Sequence, residues 1–98
     1  MKKLALILAL LPLTVVAEPK TKGGYFACNT KKQITEYHNY IIKKDDRGLQ
    51  HLLKNGCVNI PAGIPISVID RGFLTSKLRF YYGGKSFELW SPSEIIGN

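Results

Sequence analysis

The chain has 98 residues, with 14 Lys and Arg against 7 Asp and Glu, two Cys, five Tyr, four Phe and one Trp. One domain fits that length and two do not. The basic excess suits an anionic partner, but the lysines come in separated pairs rather than one dense block, which reads as a solvated face.

Lys2 and Lys3 precede an apolar run, Leu4 to Val16, that leads into Ala17. A positive start, a short apolar stretch and a small residue at its end form a bacterial Sec-type signal, with cleavage expected after Ala17. A spanning helix needs about 20 apolar residues, more than the run supplies. No Cys follows it to carry a lipid anchor. The expected mature chain, 18–98, is then a single periplasmic or secreted domain with no membrane span. Its first half, 18–56, holds 8 basic and 4 acidic residues; 57–98 holds 4 and 3. An exported protein rarely meets nucleic acid, so anionic lipid or cell-wall polymer ranks ahead of it as a charged partner.

A chain this short buries a modest fraction of its surface and often needs a covalent staple. Cys28 and Cys57 read as a disulfide in an oxidising compartment. The other reading is a reactive thiol, since Cys28 lies just before a helix start, where a helix N-terminus lowers a thiol pKa.

In chain order, Glu18 to Gly24 reads as a frayed lead-in and Tyr25 to Cys28 as a short strand. Thr30 and Gln33 form a capping box that opens a helix carrying Ile34, Tyr37 and Ile41 on one stripe. Lys43 or Lys44 ends it. Asp45 or Asp46 caps a second helix with Leu49, Leu52 and Leu53 as its buried stripe and Gly56 as a left-handed stop. The two make a helical hairpin over about 30–55. Cys57 to Ile60 is then a strand, Pro61-Ala62-Gly63 a turn, and Ile64 to Asp70 a strand with Ile64, Ile66 and Val68 on one face. Arg71 to Ser76 is a loop hinged at Gly72, and Ser91 to Ile96 a turn or last short helical turn.

KLRFYYGGKSFELW, Lys77 to Trp90, holds half of the aromatic residues. A Gly83-Gly84 turn suits positive φ at both positions and sets a register: Tyr82 with Lys85, Tyr81 with Ser86, Phe80 with Phe87, Arg79 with Glu88, Leu78 with Leu89, Lys77 with Trp90. Leu78, Phe80, Phe87 and Leu89 then share an apolar face expected in the core. The opposite face carries an Arg79–Glu88 ion pair, Tyr81, Lys77 and Trp90. A slip of one residue would turn the apolar set outward. Trp90 has two readings, exposed or packed beneath the helical hairpin or the Ile95-Ile96 tail.

GCVNIPAGIPISVID, then KLRFYYGG, then FELW resembles the short-strand pattern of bacterial SH3-like domains of the SH3b type. The match covers about 57–92. The whole chain, with Ala27-Cys28 near its start and Gly56-Cys57 before the strands, resembles a group of small secreted bacterial proteins. The resemblance implies an α+β fold, a helical hairpin packed on a small SH3-like antiparallel β-barrel, and binding rather than catalysis.

His38 and His51 belong to the two helices, and no third Cys or His stands at metal spacing. There is no Gly-x-Ser-x-Gly and no Gly-rich loop opening a helix. Asp45 and Asp46 are explained as caps and Glu88 as a partner of Arg79. The sequence therefore reads as a non-enzyme without cofactor or metal. The leading expectation is a secreted binding protein that recognises an envelope protein or cell-wall polymer through Tyr81, Trp90, Lys77, Arg79 and Phe73. A periplasmic inhibitor or immunity factor is the alternative. It would present Arg71 to Ser76, whose Phe73 and Leu74 otherwise fold back as barrel plugs. A cell-wall cysteine hydrolase is the remote alternative and needs Cys28 or Cys57 free beside His38 or His51.

Overall fold

The computed structural model describes residues 19–97. The export signal expected at 1–17 lies outside them. Among the described residues no helix is long and apolar enough to cross a membrane.

The fold is α+β. β1 (Tyr25–Cys28) leads into α1 (Lys31–Lys43) and α2 (Asp46–Lys54), and the chain continues through β2 (Cys57–Ile60), β3 (Ile66–Asp70), β4 (Thr75–Tyr82) and β5 (Lys85–Pro92) to a 3₁₀ turn, Ser93–Ile95. The strands form one antiparallel sheet in the order β2-β1-β5-β4-β3. The resemblance implied a five-stranded, partly open barrel; the five strands are present, but as an open sheet with β2 and β3 as its two edges.

Local chemistry sets the helices. The Thr30 hydroxyl accepts from the Gln33 amide at 3.2 Å while the Gln33 side chain accepts from the Thr30 amide at 3.1 Å. The reciprocal pair satisfies two amide donors at the helix start. Lys44 ends α1 in the left-handed region, at φ 55°, and Asp45 caps α2 by accepting from the Gly48 amide at 3.0 Å. Gly48 is required by packing, because a Cβ there would collide with the Tyr40 ring. The buried stripe of α1 is Ile34 and Tyr37, with Tyr40 packed beside them; Ile41, expected in that stripe, is exposed. In the last turn of α1 it is Tyr40, seated over Gly48, and not Ile41 that faces the core.

The core has two parts. Phe26, Cys28 and Cys57 on one sheet face pack under Ile34, Tyr37 and Leu52 of the helices, with the Phe26 and Tyr37 ring centroids 4.8 Å apart. Burial pushes the Tyr37 phenol pKa up. On the other face Ala27, Ile60, Ile66, Leu78, Phe80 and Ile95 form the second cluster. Cys28 and Cys57 are register partners and are joined by a disulfide. The bridge therefore staples the two ends of the helical excursion that interrupts β1 and β2.

The lead-in is ordered rather than frayed. Thr21 is buried, and its hydroxyl donates to the Pro61 carbonyl at 2.7 Å and accepts from the Ile64 amide at 2.9 Å. Its backbone exchanges hydrogen bonds with Ile64 and Gly63, and Lys22 donates to the Ile95 carbonyl at 2.8 Å. The lead-in also accepts from the Ile66 amide through the Pro19 carbonyl at 3.1 Å, and β3 begins at Ile66, not at Ile64. Val68, expected inside with Ile66, lies exposed on the edge strand beside a register shift between Val68 and Asp70.

Candidate functional site

The β4–β5 hairpin has the expected register at every pair from Tyr82↔Lys85 to Lys77↔Trp90. Gly83 and Gly84 both have positive φ, 63° and 78°, the turn whose twist matches the flanking strands. Its two faces behave differently from expectation.

On the apolar face, Leu78 and Phe80 are buried as expected, Leu89 is half-buried, and Phe87 is 46% exposed. The reason is strand length. β4 and β5 each have 8 residues, but β2 has 4 and β3 has 5. β1 meets β5 at Cys28↔Trp90, near the hairpin base. From Lys85 to Leu89 the recorded ladder of β5 is with β4 alone. The tip overruns its neighbours, so side chains of core parity there have no layer to pack against. Instead they wall a groove of about 410 Å³ together with β2 and the turn after it. Phe80, Tyr82, Phe87 and Leu89 form one side; Val58, Asn59, Ile60, Pro61 and Ile64 form the other. Val58 is 49% and Tyr82 66% exposed. Sequence reading placed Phe87 in the core and passed over Val58 and Tyr82. The available signal was that the hairpin is twice as long as β2.

The opposite face gathers four of the five expected contact residues. Arg79 donates to Glu88 at 2.6 Å, Lys77 stands 3.9 Å from the other Glu88 oxygen, and Lys77 and Lys31 lie 5.8 and 5.7 Å from the Trp90 ring centroid. Trp90 is half-buried against the cluster beneath the helices, which decides between its two readings. Tyr81 is partly exposed, and its hydroxyl is 2.9 Å from that of Ser67. The polar groups here are largely engaged with one another. The hydrogen bond from Arg79, with the Arg79 and Lys77 charges adding, holds the Glu88 carboxyl below its ordinary range. A depressed folded value means that this stabilisation is present above the ordinary Glu pKa of about 4.3 and is lost as pH falls through the lowered value. Glu88→Gln should therefore flatten the acid side of a melting-temperature profile below about pH 4; a profile parallel to wild type would contradict the pair. Glu88→Lys, placed between Arg79 and Lys77, should lower the melting temperature slightly at neutral pH and low salt.

Phe73 lies apart, in the β3–β4 loop. It is 95% exposed and Leu74 is 64% exposed, so neither is a barrel plug. The loop is braced from below. Ser93 donates its hydroxyl to the Gly72 carbonyl at 2.8 Å and its amide to the Leu74 carbonyl at 2.9 Å. Ser76 lies 2.6 Å from the Ser93 hydroxyl and accepts from the Gly72 amide at 3.2 Å. A Cβ at Gly72 would collide with the Thr75 carbonyl oxygen.

Cys28 and Cys57 are joined and buried, so neither offers a thiol nucleophile. His51 is exposed on α2 with its Nδ1 3.3 Å from the Asn55 side-chain nitrogen, and His38 lies against Tyr37. Among the described residues no group of three or more His, Cys, Asp or Glu is placed to hold a metal ion. No family model matches the chain, and no curated protein or solved structure matches it.

Proposed function

We propose that this chain is a non-catalytic binding module of the bacterial periplasm or extracellular space that takes an extended, apolar segment of a partner protein. The observation that carries this reading is the groove between β2 and the hairpin tip. It combines exposed core-parity side chains, Phe87, Tyr82 and Val58, with a stretch of β5, Lys85 to Leu89, whose ladder lies on one side only. A strand edge supplies main-chain donors and acceptors for an added strand, and an adjacent apolar trough receives its alternate side chains. The outer face is a weaker candidate, because Arg79, Lys77 and Glu88 are already paired and Trp90 is half covered.

An SH3-like reading of the sheet, a small five-stranded antiparallel unit that binds through its surface, fits this use. The Lys2-Lys3 start and Leu4–Val16 run, with the Cys28–Cys57 disulfide, support export. The test is fluorescence polarisation with a labelled octapeptide of alternating Val and Thr. Binding should weaken about tenfold in Phe87→Ser. It should also weaken for a peptide with Pro at alternate positions, which lacks the main-chain donors. Equal binding by wild type and Phe87→Ser would overturn the groove as the site.

A further inference from the structure

The Phe73–Leu74 loop and the groove are a projection and a recess on the same molecule, and we infer that the loop of one copy seats in the groove of a second. This rests on the groove reading above and adds a partner to it. Phe73 is almost wholly exposed, yet its loop is fixed by the Ser76–Ser93–Gly72 hydrogen bonds. The backbone on both sides of Phe73 is thus held before contact, which lowers a cost that a floppy apolar loop would meet on binding. The groove, at about 410 Å³, falls within the range of pockets that enclose small organic groups, and its walls are apolar enough to take a phenyl ring and an isobutyl group.

Charge agrees with the pairing. Exposed Asp70, Arg71 and Glu94 flank the loop base and together leave it one negative charge net; Glu94 follows the Ser93 that braces it. Two lysines neighbour the groove lining: Lys85 is the register partner of Tyr82, and Lys20 bridges Pro65, next in sequence to Ile64. The residues that line the groove include no acid.

Topology decides the geometry. β4 runs from Thr75, beside the loop, to Tyr82, in the groove wall. Eight residues of strand separate the two by roughly 25 Å. A loop at one end of the strand cannot reach the groove at the other end of the same copy. The contact is therefore between copies and joins two different patches, head to tail. Such an interface leaves a free projection and a free recess at the ends of every open assembly, and none where the rotation closes a ring. One inserted loop buries far less than a standard interface, so the association is weak and concentration-dependent.

Sedimentation equilibrium of the disulfide-intact chain should show a weight-average mass that rises with concentration. Phe73→Ser/Leu74→Ser removes the projection, and Val58→Ser/Phe87→Ser removes the recess; each variant alone should be monomeric. Mixed, they should form a 1:1 dimer and nothing larger, because one intact loop and one intact groove remain between them. Phe73→Lys alone should weaken association at least about tenfold, and unchanged near-ultraviolet dichroism of Trp90 certifies each variant's fold. A wild-type chain that stays monomeric at millimolar concentration, or a mixture that gives no dimer, overturns the proposal and leaves Phe73 for the pocket of a different protein. The octapeptide assay on the projection-deleted variant keeps the two readings apart: retained peptide binding there upholds the groove even if self-association fails.

Discussion

Replacing both Cys28 and Cys57 with Ala should lower the melting temperature by ~15–25 °C. The bridge spans a sequence separation of 29 residues, and the chain-entropy model assigns a loop of that size about 3.5 kcal/mol. A domain of this length holds only ~4–12 kcal/mol in total, so the loss is a large fraction of what keeps it folded. Position adds to the effect. The disulfide joins the last residue of β1 to the first of β2, so the loop it closes is the helical excursion itself. α1 has 13 residues and α2 has 9, lengths at which isolated helices are marginal in water. Both sulfurs also lie inside the cluster with Phe26, Ile34, Tyr37 and Leu52, so Ala leaves unfilled volume there. Amide exchange should accordingly rise first in α1 and α2, while the β3–β4–β5 meander keeps its protection longest. A melting-temperature drop below about 5 °C would show that packing alone holds the excursion in place.

What could be read from the sequence was whatever depends on neighbouring residues. The Thr30–Gln33 box, the Asp45 cap and the hairpin register each follow from a few side chains at fixed spacing, and each is found. The disulfide followed from two cysteines in a small chain. The failures lie where the answer depends on how far a neighbouring element extends. Ile41 has the right spacing for the α1 stripe, but in that turn Tyr40 takes the inward place over Gly48. Phe87 has the right parity for the core, but β1 and β2 stop short of it. Thr21 sits in a segment rich in Lys and Gly, which gave no local reason for order. Its hydroxyl bridges Pro61 and Ile64, some 40 residues downstream. Binary pattern assigns a side chain to a face; it does not say whether that face has a covering layer at that point. The candidate groove exists because of that gap, and for this reason none of the five expected contact residues lines it.

Phe80 and Phe87 turn the same gap into a measurement, because they are direct cross-strand partners of identical chemistry. Phe80 is 2% exposed and packs with Ile66, Leu78 and Ile95. Truncating a buried Phe removes its transfer free energy and leaves a cavity, about 3–5 kcal/mol together, so Phe80→Ala should unfold the chain or bring it close to unfolding at 25 °C. Phe87→Ala removes a ring that is nearly half in water already. Its cost should stay under about 1 kcal/mol, and urea midpoints should separate the two variants by most of the stability range of the protein. Function should respond in the reverse order. Phe87→Ala, still folded, should lose the labelled octapeptide, whereas the mild core change Leu78→Val, at a buried residue outside the groove lining, should keep both the fold and the peptide. A Phe87→Ala variant as unstable as Phe80→Ala would mean that the groove is a filled core and that the hairpin tip is structural. A stable Phe87→Ala that binds the peptide as wild type does would move the site elsewhere. Only the combination of intact fold and lost binding fits a pair of facing rings of which one holds the sheet together and the other meets the partner.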